Sequence, residues 1–260
     1  MSAGVLDGRR VLVVGAGTRP SPDGDDLVGN GRAIAVAAGR AGASVVCADI
    51  DTDSAARTAA LVEADGATAH VLTGDVTDAA TCERLVREAE AAMGGLDGLV
   101  CNVGIGAGRG MTGTTPEQWD EVFAVNVRSH FLLAAAALPR MPEGGAIVFI
   151  SSIASLTAGS RIPAYDASKA ALTGLCRQVA AEGARRGVRA NVVAPGLIDT
   201  PLGRWATGGR PSRTKAPVPL GRQGTAWEVA APVVFLLSDQ ASYITSQVLA
   251  VDGGLTGGRG

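Results

Sequence analysis

Arg10-Val11-Leu12-Val13-Val14-Gly15-Ala16-Gly17 decides the fold. Its apolar run is continuous rather than alternating. That suits a strand covered on both faces, as in a parallel sheet. A glycine at the strand's end, followed by a helix, places backbone amides where they can hold a pyrophosphate. Here the pattern is interrupted. The sixth position of the turn is Pro20, and thirteen residues, Ala16 to Val28, separate Gly15 from Gly29-Asn30-Gly31. A helix then opens with Arg32-Ala33-Ile34-Ala35. On this reading Gly15, Gly29 and Gly31 are the working glycines, with about ten residues looped out between the first two, since loop closure grows only logarithmically in cost. The other reading is that Gly29 and Gly31 punctuate a surface loop.

Working outward, six more runs read as strands: Ser44–Ala48, Thr68–Leu72, Gly98–Cys101, Ala146–Ile150, Arg189–Val193 and Val248–Val251. Helical stretches lie between them, at Gly31–Arg40, Ser54–Ala64, Ala79–Met93, Pro116–Leu138, Tyr165–Arg185 and Ala226–Leu237. Thr115-Pro116-Glu117-Gln118 and Thr225-Ala226-Trp227-Glu228 are capping boxes. Gly42 and Gly66 suit the left-handed position after a helix. The alternation predicts an α/β doubly wound Rossmann fold, a seven-stranded parallel sheet with helices on both faces. No composition shift marks a second domain, so residues 1–260 read as a single dinucleotide-binding and catalytic domain. Within it, 15–31 is the glycine turn with its insertion and 195–224 a substrate lid.

Composition excludes several classes. The net charge of −2 leaves no basic footprint for nucleic acid. No apolar run reaches the roughly 18 residues of a membrane span, and Met1 to Arg10 lacks an apolar signal segment. Cys47, Cys82, Cys101 and Cys176 lack metal or redox spacing and read as buried thiols of a cytoplasmic protein. With only His70 and His130 present, no metal centre is expected.

Asp49 closes the second strand, eighteen residues past Gly31. A carboxylate there accepts both ribose hydroxyls of an adenosine and repels a 2′-phosphate, which favours NAD over NADP. An ordinary turn-starting Asp is the plainer alternative. Arg19 and Arg32 pull the other way if the inserted loop folds inward. Asp75-Val76, at the end of the third strand, borders the adenine. The inserted loop carries Asp23, Asp25 and Asp26 with Pro20 and Pro22. It covers the adenosine, reaches a neighbouring subunit, or is a passive excursion.

Tyr165 and Lys169 lie four apart, on one face of a helix. A lysine ammonium beside a phenol favours the phenolate and lowers its pKa from about 10. Such a tyrosine can exchange a proton with an alcohol near neutral pH. Ser152 follows the strand Ala146–Ile150, where its hydroxyl can bond a substrate oxygen or cap the following turn.

With Gly15/Gly29/Gly31, Asp75, Asn102-Val103-Gly104, Asn126, Ser152, Tyr165, Lys169 and Pro195-Gly196 in this order, the chain resembles the short-chain dehydrogenase/reductase family, in its branch of about 250 residues. The resemblance extends to the closing Tyr243-Ile244-Thr245-Ser246-Gln247 and Val251-Asp252-Gly253-Gly254. It implies that Tyr165 is the general acid/base, and that Lys169 contacts the nicotinamide ribose and lowers the tyrosine pKa. Ser152 would orient the substrate oxygen, and Asn126 would hold a water in a proton relay. In the plainer reading, Asn126 is a helix-interior amide bonding a carbonyl. Asn102 and Gly104 would lie along the cofactor, and Pro195 and Gly196 would start the nicotinamide-side loop. Ile198 and Thr200 would contact carboxamide and phosphates. Two departures stand out. The glycine turn is lengthened, and Cys101-Asn102-Val103-Gly104 replaces the usual Asn-Asn-Ala-Gly, which removes an amide that braces neighbouring strands.

The implied activity is hydride transfer between NAD(H) and a secondary alcohol or ketone. An NADPH-dependent 3-oxoacyl thioester reductase and a non-catalytic dinucleotide-binding sensor are the alternatives. The segment Thr200–Trp227 has no acids but holds Arg204, Arg210, Arg213, Lys215 and Arg222, either to attract an anionic substrate or as incidental charge on a mobile loop. By family analogy the chain forms a homotetramer through its two long helices and the C-terminal segment.

Overall fold

The computed structural model describes residues 4–21, 27–157, 160–207 and 218–257. Pro22, Asp23, Asp25 and Asp26 of the insertion, and Arg210, Arg213 and Lys215 of the lid, lie outside the described residues.

The chain runs β1 (Arg10–Val14), α1 (Asn30–Arg40), β2 (Ser44–Asp49), α2 (Thr52–Ala64), β3 (Ala69–Thr73), α3 (Ala79–Met93) and β4 (Gly98–Cys101). It continues through α4 (Pro116–Phe123), a π-helical turn (Ala124–Arg128), α5 (Ser129–Ala137), β5 (Ala146–Ile150), α6 (Pro163–Ala184) and β6 (Arg189–Pro195). After β6 come β7 (Ile198–Asp199), α7 (Pro201–Thr207), β8 (Gly224–Thr225), α8 (Ala226–Leu237) and β9 (Val248–Val251). Seven strands form one parallel sheet in the order β3-β2-β1-β4-β5-β6-β9, as expected. The short β7–β8 pair and α7, which no apolar period announced, lie between β6 and α8.

Alternate residues of β1 feed opposite layers. Val11 and Val13 pack with α1, α2 and α8, while Leu12 and Val14 pack with α3, α5 and α6. This two-sided burial is why the strand is apolar from Val11 to Val14 without a break. Both capping boxes form: the Thr115 hydroxyl accepts from the Gln118 amide at 3.2 Å, and Thr225 and Glu228 exchange the same pair of bonds. Gly42 and Gly66 carry positive φ angles of 101° and 85°.

The helix from Pro116 to Arg140, with a window of mean hydropathy 1.4, is long and apolar enough on those two measures to cross a membrane. Part of that apolarity belongs to the core, since Leu133, Ala134 and Ala137 are buried against the sheet.

Candidate functional site

The sheet order reverses between β1 and β4, so their flanking helices diverge and leave a crevice at the strands' C-terminal ends. A cleft of about 590 Å³ occupies this place. It runs from Asp49 and Asp75 past the glycine turn to Tyr165, Lys169 and Thr200.

The glycine turn is built by close approach. A Cβ on Gly31 would sit 1.8 Å from the Gly15 carbonyl oxygen, so only glycine lets α1 start against the end of β1. Gly15 has φ 84°, and a Cβ there would meet the Val103 amide at 2.9 Å. The branched Val103 side chain thus packs on Gly15 and forms part of the cleft wall. A Cβ on Gly29 would be only 3.1 Å from the Thr18 hydroxyl, a milder constraint. Gly17 is a working glycine that the sequence reading left out: a Cβ there would lie 2.7 Å from Asp49 Oδ2 and 2.8 Å from Ser54 Oγ. Its amide donates to Asp49 Oδ2 at 2.7 Å. The only sequence signal for it was the Gly15-Ala16-Gly17 start.

Asp49 also accepts from the Asp51 amide at 3.1 Å through Oδ1. Arg32 is not among the lining residues: its Nε donates to Thr58 Oγ1 at 3.0 Å and its Nη2 to the Ser54 carbonyl and hydroxyl at 3.4 Å. Arg19 is exposed at the cleft rim. Asp75 and Val76 line the same end, and Thr77 donates through amide and hydroxyl to Asp75. Asn102 reaches across from β4 and donates to the Gly15 carbonyl at 2.8 Å, tying the turn to the sheet's centre.

At the other end, Asn126 is fully buried in the π-helical turn, a kind of helix irregularity frequent at functional sites. Its oxygen accepts from the Ile105 amide, and its Nδ2 donates to the Ile105 carbonyl and to Ser168 Oγ, each at 2.9 Å. Ser168, also fully buried, donates to the Tyr165 carbonyl at 2.8 Å. It links Asn126 to the helix that carries the tyrosine, a role that Tyr165-Asp166-Ala167-Ser168-Lys169 did not signal.

The Lys169 ammonium lies 5.7 Å from the centre of the Tyr165 ring and donates to the Ile150 carbonyl at 3.0 Å. Burial lowers its pKa to about 8. Gly104 leaves room for this ammonium, since a Cβ there would stand 3.1 Å from Nζ. Ser151 donates to the Lys169 carbonyl at 2.8 Å and pins α6 to the end of β5. The Ser152 hydroxyl accepts from the Ala154 amide at 3.2 Å, capping the turn Ile153–Ser155.

Not every predicted residue faces the cleft. Thr200 does, with its hydroxyl accepting from the Gly203 amide at 3.1 Å. Asn126, Ser152, Pro195, Gly196 and Ile198 are not among the lining residues. Gly196 underlies it instead: a Cβ there would meet Asp252 Cα at 2.6 Å, and its amide donates to the Val251 carbonyl. Cys101 is buried. Burial raises the pKa of its thiol, and its carbonyl is bonded by His130 Nε2 at 3.1 Å, so a ring from α5 braces the strand where the usual amide is missing. The two described basic residues of the segment Thr200–Trp227 are matched to acids just outside that segment, Arg204 to Asp199 and Arg222 to Glu228. Among the described residues, no group of three potential metal ligands occurs.

The glycine cradle, the free lone pairs on Asp49 and the fully buried, unpartnered Oδ1 of Asn30 at the start of α1 fit a dinucleotide. Known proteins agree. A family model described as enoyl-(acyl carrier protein) reductase matches residues 28–256. The chain is 42% identical over 236 residues to 2-(S)-hydroxypropyl-CoM dehydrogenase 3 of Xanthobacter autotrophicus (strain ATCC BAA-1158 / Py2), covering 88% of this chain and 92% of that protein. A crystal structure from Burkholderia xenovorans, of a chain assigned to the short-chain dehydrogenases/reductases, matches with TM-score 0.91 and 37% identity over 99% of this chain and all of that one. The complex of 7α-hydroxysteroid dehydrogenase with NADH and 7-oxo glycochenodeoxycholic acid matches with TM-score 0.88 and 30% identity, over 98% of this chain and 97% of that one. The chain therefore belongs to the short-chain dehydrogenase/reductase family of oxidoreductases.

Proposed function

We propose that the protein transfers a hydride between NAD(H) and a secondary alcohol or ketone, with Tyr165 as general acid/base. The observation that carries this reading is the buried Lys169 ammonium facing the Tyr165 ring at one end of a cleft whose other end presents Asp49. Gly15, Gly17, Gly29 and Gly31 would cradle the diphosphate, Asp49 the adenosine ribose, and Lys169 the nicotinamide ribose. Asp75, Val76, Asn102 and Gly104 would line the dinucleotide, with Pro195, Gly196, Ile198 and Thr200 on the nicotinamide side. When bound, the nicotinamide supplies the hydride acceptor or donor.

The residues of the chain handle the proton. In oxidation Tyr165 takes the alcohol proton, and in reduction it returns one to the carbonyl oxygen. The Lys169 charge stabilises the phenolate. Ser152 orients the substrate oxygen, and Asn126 holds the relay by which the proton reaches solvent. Positioned proton transfer of this kind is worth about 10²–10⁴-fold. The name of the Xanthobacter relative also describes a secondary alcohol as substrate.

The second reading, an NADPH-dependent 3-oxoacyl thioester reductase, is favoured by the acyl-carrier-protein wording of the family model and opposed by Asp49. A non-catalytic sensor has no need of the Asn126/Ser152/Tyr165/Lys169 set. The exposed Trp119 and Phe131 on α4 and α5, Tyr243 ahead of β9 and Leu249 within it support a homotetramer. We further read residues 1–260 as one domain with a lid at 195–224, and the buried thiols as those of a cytoplasmic protein.

A panel of ketones and alcohols, assayed with NADH/NAD and NADPH/NADP, tests all three readings. Turnover with NAD(H), abolished in Tyr165→Phe while NADH still binds by fluorescence titration, is the expected result. Near-normal turnover in that variant would overturn the proton role. Selective turnover of 3-oxoacyl thioesters with NADPH would favour the second reading, and binding without turnover the sensor.

A further inference from the structure

The residues at the neck of the inserted loop are gripped more tightly than a passive excursion requires. Thr58 Oγ1 donates to the Ala16 carbonyl at 2.9 Å, and the Gly17 amide donates to Asp49 at 2.7 Å. Ser54 Oγ accepts from the Thr18 amide at 2.8 Å and donates to the Thr18 carbonyl at 3.0 Å. Across the neck, the Gly29 amide donates to Thr18 Oγ1 at 3.0 Å. Ser54 is buried, at 2% exposure, and its own amide is held by Asp51, the N-cap of α2. One hydroxyl thus satisfies both backbone groups of Thr18 and locks the first limb of the loop to α2.

This latch has two electrostatic consequences. It holds Gly17 against the Asp49 carboxylate, whose two oxygens each accept one backbone amide and keep further acceptor capacity in a residue that lines the cleft. It also occupies Arg32, whose guanidinium lies half-buried against Thr58 and Ser54. Of the two cations that the sequence offers to a 2′-phosphate, Arg32 is thereby engaged, while Arg19 stays exposed at the cleft rim.

We infer that Thr18 and Ser54 are specificity-determining residues for the dinucleotide, holding Asp49 toward the ribose hydroxyls and Arg32 away from them. The inference rests on the NAD(H) reading above. The inserted loop is then part of the selection against a 2′-phosphate, a task that Asp49 does not perform alone. A ribose with both hydroxyls uses the fixed carboxylate and loses affinity when it swings. A 2′-phosphorylated ribose cannot use that contact, so it loses nothing and gains access to Arg32.

The test compares Ser54→Ala, Thr18→Val and Thr18→Ser, with NADH and NADPH dissociation constants read by fluorescence titration and ADP-ribose as an adenosine-side probe. The expected result is that Ser54→Ala and Thr18→Val weaken NADH and ADP-ribose about tenfold, a loss of about 1.4 kcal/mol. NADPH affinity stays unchanged or tightens, and Thr18→Ser, which keeps the hydroxyl, behaves as wild type. Thr18→Val changes a residue outside the regular elements, so it reports even if Ser54→Ala folds poorly. Equal weakening of both dinucleotides, or no change in either, would overturn the inference and leave the hydride-transfer reading standing. Failure of the wild-type protein to bind either dinucleotide would sink both.

Discussion

The two ends of the cleft are held in place by opposite means. Around the glycine turn the structure removes side chains: Gly15, Gly17 and Gly31 each stand where a single Cβ would strike backbone or a carboxylate. Around Tyr165 it buries them: Asn126, Ser168 and Lys169 are almost wholly enclosed and bonded to one another's neighbourhoods or to main-chain carbonyls. One end is a space kept clear of side chains. The other is a charge kept in a fixed place at a cost in desolvation. The difference teaches that substitutions should fail differently at the two ends, through shape in the first and electrostatics in the second.

The largest expected effect is at the shape-limited end. Gly31→Val forces α1 away from the Gly15 carbonyl, and overpacking against backbone costs about 3 kcal/mol or more. Thermal unfolding should show a fall of many degrees together with lost dinucleotide binding. A variant with wild-type stability and affinity would remove the basis of the comparison.

Lys169→Met should act in the opposite sense on stability. The folded chain holds the Lys169 pKa near 8, while the unfolded chain keeps its proton up to about 10.5. Between those values the unfolded state binds more protons, so the stability of the native protein rises with pH through that window. Below pH 8 both states are protonated and the penalty stays constant. Removing the charge should recover up to about 3 kcal/mol at pH 7 and flatten the rise between pH 8 and 10.5, while turnover collapses. Denaturant titrations at several pH values check this. A variant that keeps the wild-type slope would mean that the ammonium is not desolvated.

The smallest effect sharpens the electrostatic end. Ser168→Ala removes the link between Asn126 and the Tyr165 carbonyl and leaves a buried amide one partner short, worth about 1–2 kcal/mol. Turnover should fall about tenfold with NADH affinity unchanged, and a matching loss of NADH affinity would show that the two ends are not independent.

Most of the fold was legible locally. The β-type runs located all seven sheet strands within one or two residues, most plainly β1, β4 and β5, whose residues are almost all apolar and buried because helices cover both faces there. The helices at Ala79–Met93 and Ala226–Leu237 fell where expected, and the capping boxes at Thr115 and Thr225 formed, because a helix start is a contract between residues three apart. The π-helical turn escaped notice, since Phe123-Ala124-Val125-Asn126-Val127 carries no pattern that distinguishes it from α-helix.

What the chain determined by itself was therefore the order of its elements and the residues placed at the sheet's carboxyl edge. What only the tertiary structure decided was partnership. Gly17 became a working glycine because Asp49 and Ser54, far along the chain, converge on its Cα. Arg32 was engaged by Thr58 and Ser54 on a neighbouring helix, and His130 took up the brace that Cys101 lacks. Periodicity and capping depend on residues within one turn and can be read from neighbours. A close approach or a hydrogen bond across a crossover depends on where two distant segments meet, and no local pattern names the other partner.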